Sequence, residues 1–124
     1  IRYEVGESAN FILTPMLTKA LTQVNEWGQE NIQDYCREMT APYIKELLNL
    51  GVRIEDSDYR GEHLFGLRLP DHMDMDEMKK RFAEKRIFVS VRGNSIRVSP
   101  NVYNQSSDLE RLVDSFKVLD QNHA

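Results

Sequence analysis

Arg92 and Arg97 stand on either side of Gly93-Asn94, and no other pair of charged residues in the sequence is so clearly set up for chemistry. Gly-Asn favours the two-residue turn of a β-hairpin, because both residues tolerate positive φ. With that turn, Arg92 pairs with Ser95, Val91 with Ile96, and Ser90 with Arg97. Side chains alternate between faces along a strand, so Val89, Val91, Ile96 and Val98 share the buried face. Ser90, Arg92, Ser95 and Arg97 share the other, where the two guanidinium groups are diagonal neighbours within side-chain reach. Like charges this close repel unless an anion lies between them. A carboxylate or a phosphate suits the position, since arginine's planar fork matches either bidentately. The same spacing is also met by arginines solvated on an open sheet face, or paired with Asp or Glu.

The remaining reactive residue types make no comparable arrangement. His63, His72 and His123 are too scattered for a metal cluster, and no metal site is expected. Cys36 is the lone cysteine, on a helix with no histidine near in sequence, and reads as a half-buried packing residue rather than a nucleophile. Asp71, Asp74, Asp76 and Glu77 form an acidic run that a capped helix start explains. Lys79, Lys80, Arg81, Lys85 and Arg86 interleave with core positions and read as a solvated face, not a nucleic-acid patch.

The elements that must position the hairpin can be read from periodicity. Thr14 is expected to cap a helix with Pro15 at its first position, carrying Leu17, Leu21, Val24 and Trp27 to a stop at Gly28. A second helix carries Ile32, Tyr35, Met39, Tyr43, Leu47 and Leu50 to Gly51, and Pro42 is expected to kink or divide it. The two helices suit either a connector leaning on a second domain or an ordinary antiparallel pair. Residues 52–55 read as a short strand and 63–69 as a better one. Asp74 with Glu77 opens a helix whose apolar face is Met75, Met78 and Phe82. Strands follow at 87–92 and 95–99. A last helix over 105–119 points Leu109, Leu112, Val113, Phe116 and Leu119 at the core. This order predicts an α+β fold with helices packed on a mainly antiparallel sheet.

Composition agrees with one ordinary folded domain of 124 residues: 40% hydrophobic and 29% charged, with a net charge of −4. The acidic balance argues against a general nucleic-acid binder, and no apolar run is long enough to cross a bilayer. A single cysteine makes a reducing cytoplasm the default expectation. Isoleucine rather than methionine at position 1 hints at a fragment of a longer chain.

The stretch Ser90-Val91-Arg92-Gly93, Ile96-Arg97-Val98-Ser99-Pro100, Tyr103-Asn104, Asp108-Leu109 and Leu112-Val113 resembles the closing part of class V aminotransferases. That family of pyridoxal-phosphate (fold type I) enzymes includes cysteine desulfurases, kynureninases and isopenicillin N epimerase-like enzymes. Arg2-Tyr3-Glu4-Val5-Gly6-Glu7 resembles the family segment that leaves the large domain, so the resemblance spans nearly the whole chain. It implies the small C-terminal domain of a pyridoxal-phosphate-dependent transferase. Residues 1–50 would be the end of the large-domain segment with two connector helices, and 51–124 the small domain itself.

Residue by residue, the resemblance gives Arg97 the role of binding the substrate α-carboxylate and Arg92 that of the arginine at the mouth of the active site. Tyr103 and Asn104 match a family pair before the last helix, where Asn104 suits a cap. No cysteine follows Cys36, which argues against a desulfurase. Glu7 stands where many relatives carry a threonine that reaches the cofactor phosphate of the neighbouring subunit; Ser8 is the candidate to offer the hydroxyl instead. No lysine matches the family's Schiff-base lysine. The resemblance therefore implies no catalytic residue in this chain, no activity of the chain alone and no cofactor held by it alone. Pyridoxal 5'-phosphate would belong to the parent enzyme. The implied partners are an amino-acid substrate, the large cofactor-binding domain of the same chain and a second subunit in a homodimer. Two other classes are weighed beside this: a stand-alone module binding an amino acid or other small anion, and a nucleic-acid module. The latter lacks aromatic residues interleaved on its strands for base stacking.

Overall fold

The computed structural model describes residues 10–122, which fall into two compact units divided between Asn31 and Ile32. The first helix, α1, runs Leu13–Trp27. Its start is held by Asn10, whose Oδ1 accepts from the backbone N–H of Ile12 (3.1 Å) and Leu13 (2.8 Å). The cap expected at Thr14 thus lies upstream at Asn10, and Thr14 and Pro15 fall in the first turn, where a missing N–H costs nothing. Gly28, with φ 83°, ends the helix and returns its N–H to the Val24 carbonyl, the glycine stop expected. No residue of α1 is buried.

Helix α2, Gln29–Asn49, runs through Pro42 undivided. Proline removes one hydrogen bond from the ladder. Burial of Cys36, Met39, Thr40 and Leu47 on both sides of that point holds the helix together. Gly51, at φ 79°, turns the chain toward the sheet.

The sheet has three antiparallel strands, β1 (Phe65–Arg68), β2 (Ser90–Arg92) and β3 (Ser95–Val98), in the order β1-β3-β2. Residues 52–55 do not form a full strand. They contribute a single bridge, Arg53 with Arg68, before Asp56 bends the chain away by accepting from the Asp58 N–H. Strand β2 starts later than periodicity suggests. Arg86 takes a positive φ of 53° and the Ile87 N–H is spent on the Phe82 carbonyl, so the chain is still leaving the preceding helix there. That helix, α3 (Met75–Glu84), is capped by the Asp74 carboxylate, which accepts from the N–H groups of Asp76 and Glu77.

The last helix, α4, runs Ser106–Asn122. Asn104 does not cap it. Its Oδ1 accepts from the Asn101 N–H, and its Nδ2 donates to Asp108. The Asp108 carboxylate instead reaches back to the Gln105 N–H (3.1 Å) and also takes Arg111 (2.6 Å). The backbone bond at Gln105, then Asn104 and Arg111, hold its carboxyl below the ordinary 3.8. A carboxylate with a depressed folded value stabilises the fold above the unfolded value and loses that contribution as pH falls through the folded one. Asp108→Ala should therefore cost about 1 kcal/mol at neutral pH. In acid, below both values, the two proteins should unfold at nearly the same urea concentration; an undiminished gap there would contradict the assignment.

One apolar cluster joins the elements from Met39 onward. The inner face of the sheet (Phe65, Leu67, Ile96, Val98) packs with Leu47 of α2, Met78 and Phe82 of α3, and Leu109, Leu112, Val113, Phe116 and Leu119 of α4. The fold is α+β as expected, with helices over one face of the antiparallel sheet. The other face is open.

Candidate functional site

On the open face, the hairpin has the derived register: Ser90 opposite Arg97, Val91 opposite Ile96, Arg92 opposite Ser95. Arg92 and Arg97 are exposed, while Ile96 and Val98 are buried beneath them. Gly93, at φ 57°, makes the turn that aligns the pair.

Strand β1 adds what the hairpin alone does not contain. Gly66 lies opposite Arg97 and Arg68 opposite Ser95, while Arg53 bridges Arg68 through mutual backbone bonds of 3.0 and 2.9 Å. Residues directly opposite one another project to the same side of a sheet. The open face therefore has one row of Arg53, Arg68, Ser95 and Arg92, and a neighbouring row of Gly66, Arg97 and Ser90. The Glu55 carboxylate lies beside Gly66, 3.4 Å from where a Cβ would stand. Arg53 and Arg68 were not among the sequence candidates. Their alternation with Val52, Ile54, Leu67 and Leu69 gave a signal for exposure, but none for which strand would lie next to β3.

None of these four arginines pairs with an acid among the described residues. Elsewhere the chain pairs its cations readily: Arg60 with Glu62 at 3.0 Å, Arg37 with Asp34 and Glu62, Arg111 with Asp108, Lys117 with Glu46. Glu62 is itself buried, and Arg60 also stacks over Phe65, so that pair braces the loop before β1. The contrast leaves the open face with four arginines, none in an ion pair among the described residues, and the Glu55 carboxylate beside Gly66.

The other candidates are accounted for structurally. Ser8 and His123 lie outside the described residues. His63 bonds Gln33 at 2.7 Å and His72 meets Asp120 at 3.0 Å. The described residues contain no cluster of three or more metal-ligating side chains. Cys36 is fully buried rather than half-buried, its thiol directed at the Pro100 carbonyl. Burial, with a smaller effect of Glu62, pushes the thiol above its ordinary value, the opposite of what a nucleophile needs. Tyr103 is exposed, and the Asn104 carbonyl accepts from Tyr35 Oη at 2.7 Å. A concavity of about 400 Å³ lined by Phe88, Pro100, Tyr103 and Leu112, among others, includes neither hairpin arginine.

Comparison with known proteins agrees with this architecture. No family model matches the sequence. The chain is 28% identical over 111 residues to an uncharacterized aminotransferase of Schizosaccharomyces pombe, covering 87% of this chain and 27% of that protein. Its fold is similar to part of an alanine–glyoxylate aminotransferase from Nostoc sp. (TM-score 0.63, 16% identity, 83% of this chain and 29% of that one). It is also similar to part of a NifS-like protein (TM-score 0.57, 15% identity, 75% and 28%). The chain thus spans a little over a quarter of the length of each of these three proteins. In sequence the chain is similar to part of an aminotransferase, and in fold to part of an aminotransferase and of a NifS-like protein, in line with the resemblance carried by its closing motif.

Proposed function

We propose that the chain is the substrate-orienting domain of a pyridoxal-phosphate enzyme acting on an amino acid. In this role Arg97 binds the α-carboxylate and Arg92 supplies a second anion contact at the mouth of the site. The observation that carries the proposal is the pair of neighbouring arginines on an open sheet face with no acid among the described residues paired to either. Two forks held side by side by a hairpin, on a rigid sheet rather than a loop, can fix a planar carboxylate in position and orientation.

The described residues do not themselves fit the cofactor. Among the described residues no strand carries a lysine, and Lys79 and Lys117 are engaged with Asp76 and Glu46. The cofactor is accordingly proposed for the full-length enzyme, on a large domain, and the chain alone is expected to have no activity. Residues 51–124 would be the small domain, and 1–50 the end of the large-domain segment with its connector helices. No helix among the described residues is long and apolar enough to cross a membrane; a reducing cytoplasm is the proposed setting, from the single cysteine. The test of the site is substitution of Arg97 in the full-length enzyme. Loss of amino-acid affinity with an unchanged cofactor spectrum is expected, and unchanged affinity would refute the role.

The same proposal gives α1 a purpose. Met16, Leu17, Leu21, Val24 and Trp27 are 42–64% exposed, an apolar stripe of the kind that marks an interface. In the full-length enzyme it would be covered by the large domain or by the second subunit of a homodimer. The chain alone is then expected to self-associate or to bind an apolar dye through this helix. Leu17→Lys with Leu21→Lys should abolish either behaviour in sedimentation and fluorescence measurements. A strictly monomeric, dye-silent chain would remove the argument for a covering partner.

A further inference from the structure

Arg53 and Arg68 form a second cationic pair on the same face, separate from the hairpin. Each donates a backbone hydrogen bond to the other, so both side chains emerge on the open side directly opposite one another. Like charges so placed destabilise a sheet. Among the described residues neither has an acidic partner, although the chain carries 20 Asp and Glu residues and pairs several other arginines. The Glu55 carboxylate lies on this face by Gly66. An open concavity of about 440 Å³ is lined by Arg53, Ile54, Glu55, Gly66, Arg68 and Ser95. It borders Gly66, the residue opposite Arg97, where the lack of a side chain leaves room that the Glu55 carboxylate reaches into. Arg68 and Arg97 are diagonal neighbours, a separation of about 7–8 Å between positions.

We infer that Arg53 and Arg68 form a second anion subsite, and that the ligand of this face carries two acidic groups. The α-carboxylate goes to Arg97, and a side-chain carboxylate or phosphoryl group goes to Arg53 and Arg68. The assignment depends on Arg97 taking the α-carboxylate, and it narrows the substrate class to acidic amino acids. A single arginine meets a monocarboxylate with one fork; the second pair adds charge-assisted bonds that only a dianion can use. The Glu55 side chain is exposed, and its carboxylate has to turn away from Gly66 for one ligand to reach both arginine groups.

The test is titration of the 124-residue chain, labelled with nitrogen-15, while the side-chain N–H signals of its arginines are followed. Acetate, glutarate and inorganic phosphate are the probes. Glutarate is expected to shift Arg53, Arg68 and Arg97 together and to bind about tenfold more tightly than acetate. Arg68→Ala, and separately Arg53→Ala, should remove that advantage while acetate still moves Arg97. If phosphate moves Arg53 and Arg68 at lower concentration than glutarate does, the second group is phosphoryl rather than carboxyl. Glutarate binding no tighter than acetate, with phosphate leaving Arg53 and Arg68 unmoved, would overturn the subsite. Acetate failing to move Arg97 would instead sink the carboxylate role of the hairpin, whatever happens at Arg53 and Arg68.

Discussion

Replacing Arg97 by alanine in the full-length enzyme is expected to raise the Michaelis constant for amino-acid substrates about tenfold to a few hundredfold. The size follows from the contact. A hydrogen bond to a charged group contributes about 1.5–3 kcal/mol, and a bidentate arginine–carboxylate pair has two. Water reaches this face, since Arg97 is exposed, and screening keeps the loss at the scale of one such bond rather than two. Arg97→Lys keeps the charge but not the fork, so it should recover only part of the loss. Arg92→Ala should do less than Arg97→Ala, as a secondary contact. Arg86→Ala is the control: Arg86 is exposed at the end of α3, off the hairpin, and its loss should barely register. The cofactor's absorption should stay the same throughout. Intact substrate binding in Arg97→Ala together with loss in Arg86→Ala would contradict both the hairpin register and the role drawn from it.

Phe116→Ala should be the most damaging single core change, destabilising the fold by about 3–5 kcal/mol. Phe116 is fully buried, and its ring meets Phe82 of α3 at 6.2 Å between centroids and 56° between planes. It therefore joins α3 to α4 over the sheet, and truncation leaves a cavity that the backbone of two helices cannot close. Aromatic pairs of this tilted geometry add about 0.5–1.5 kcal/mol beyond area burial, which puts the site at the upper part of the range. Against a total stability of about 5–15 kcal/mol, the loss should lower the urea midpoint by about 1–5 M. Phe88 is the matched comparison, since it is 93% exposed. Phe88→Ala should change stability by less than about 0.5 kcal/mol. Equal effects at the two positions would mean that the packing around Phe116 is wrong.

Local chemistry was legible in the sequence wherever one turn or one helical period decides the outcome. Gly93-Asn94 determined the hairpin register, and with it the common face of Arg92 and Arg97, because a two-residue turn leaves no freedom in pairing. Asp74 declared its helix start, since an N-cap acts within three residues. The apolar spacing of Leu109, Leu112, Val113, Phe116 and Leu119 marked the buried side of α4. Where two local signals competed, tertiary packing chose. Asn10 rather than Thr14 holds α1, Asp108 rather than Asn104 serves the start of α4, and α2 persists through Pro42 because its neighbours are buried. Cys36 and Thr40 are fully buried beyond what the stripe of α2 announced. The placement of β3 between β1 and β2 was decided by the tertiary structure alone, and that placement brings Arg53 and Arg68 to the same face as Arg92 and Arg97. The physical reason is range. A turn encodes its own pairing within a few residues, whereas β1 and β3 are separated in sequence by α3 and β2, and their register depends on how Phe65 and Leu67 bury against helices far away in sequence.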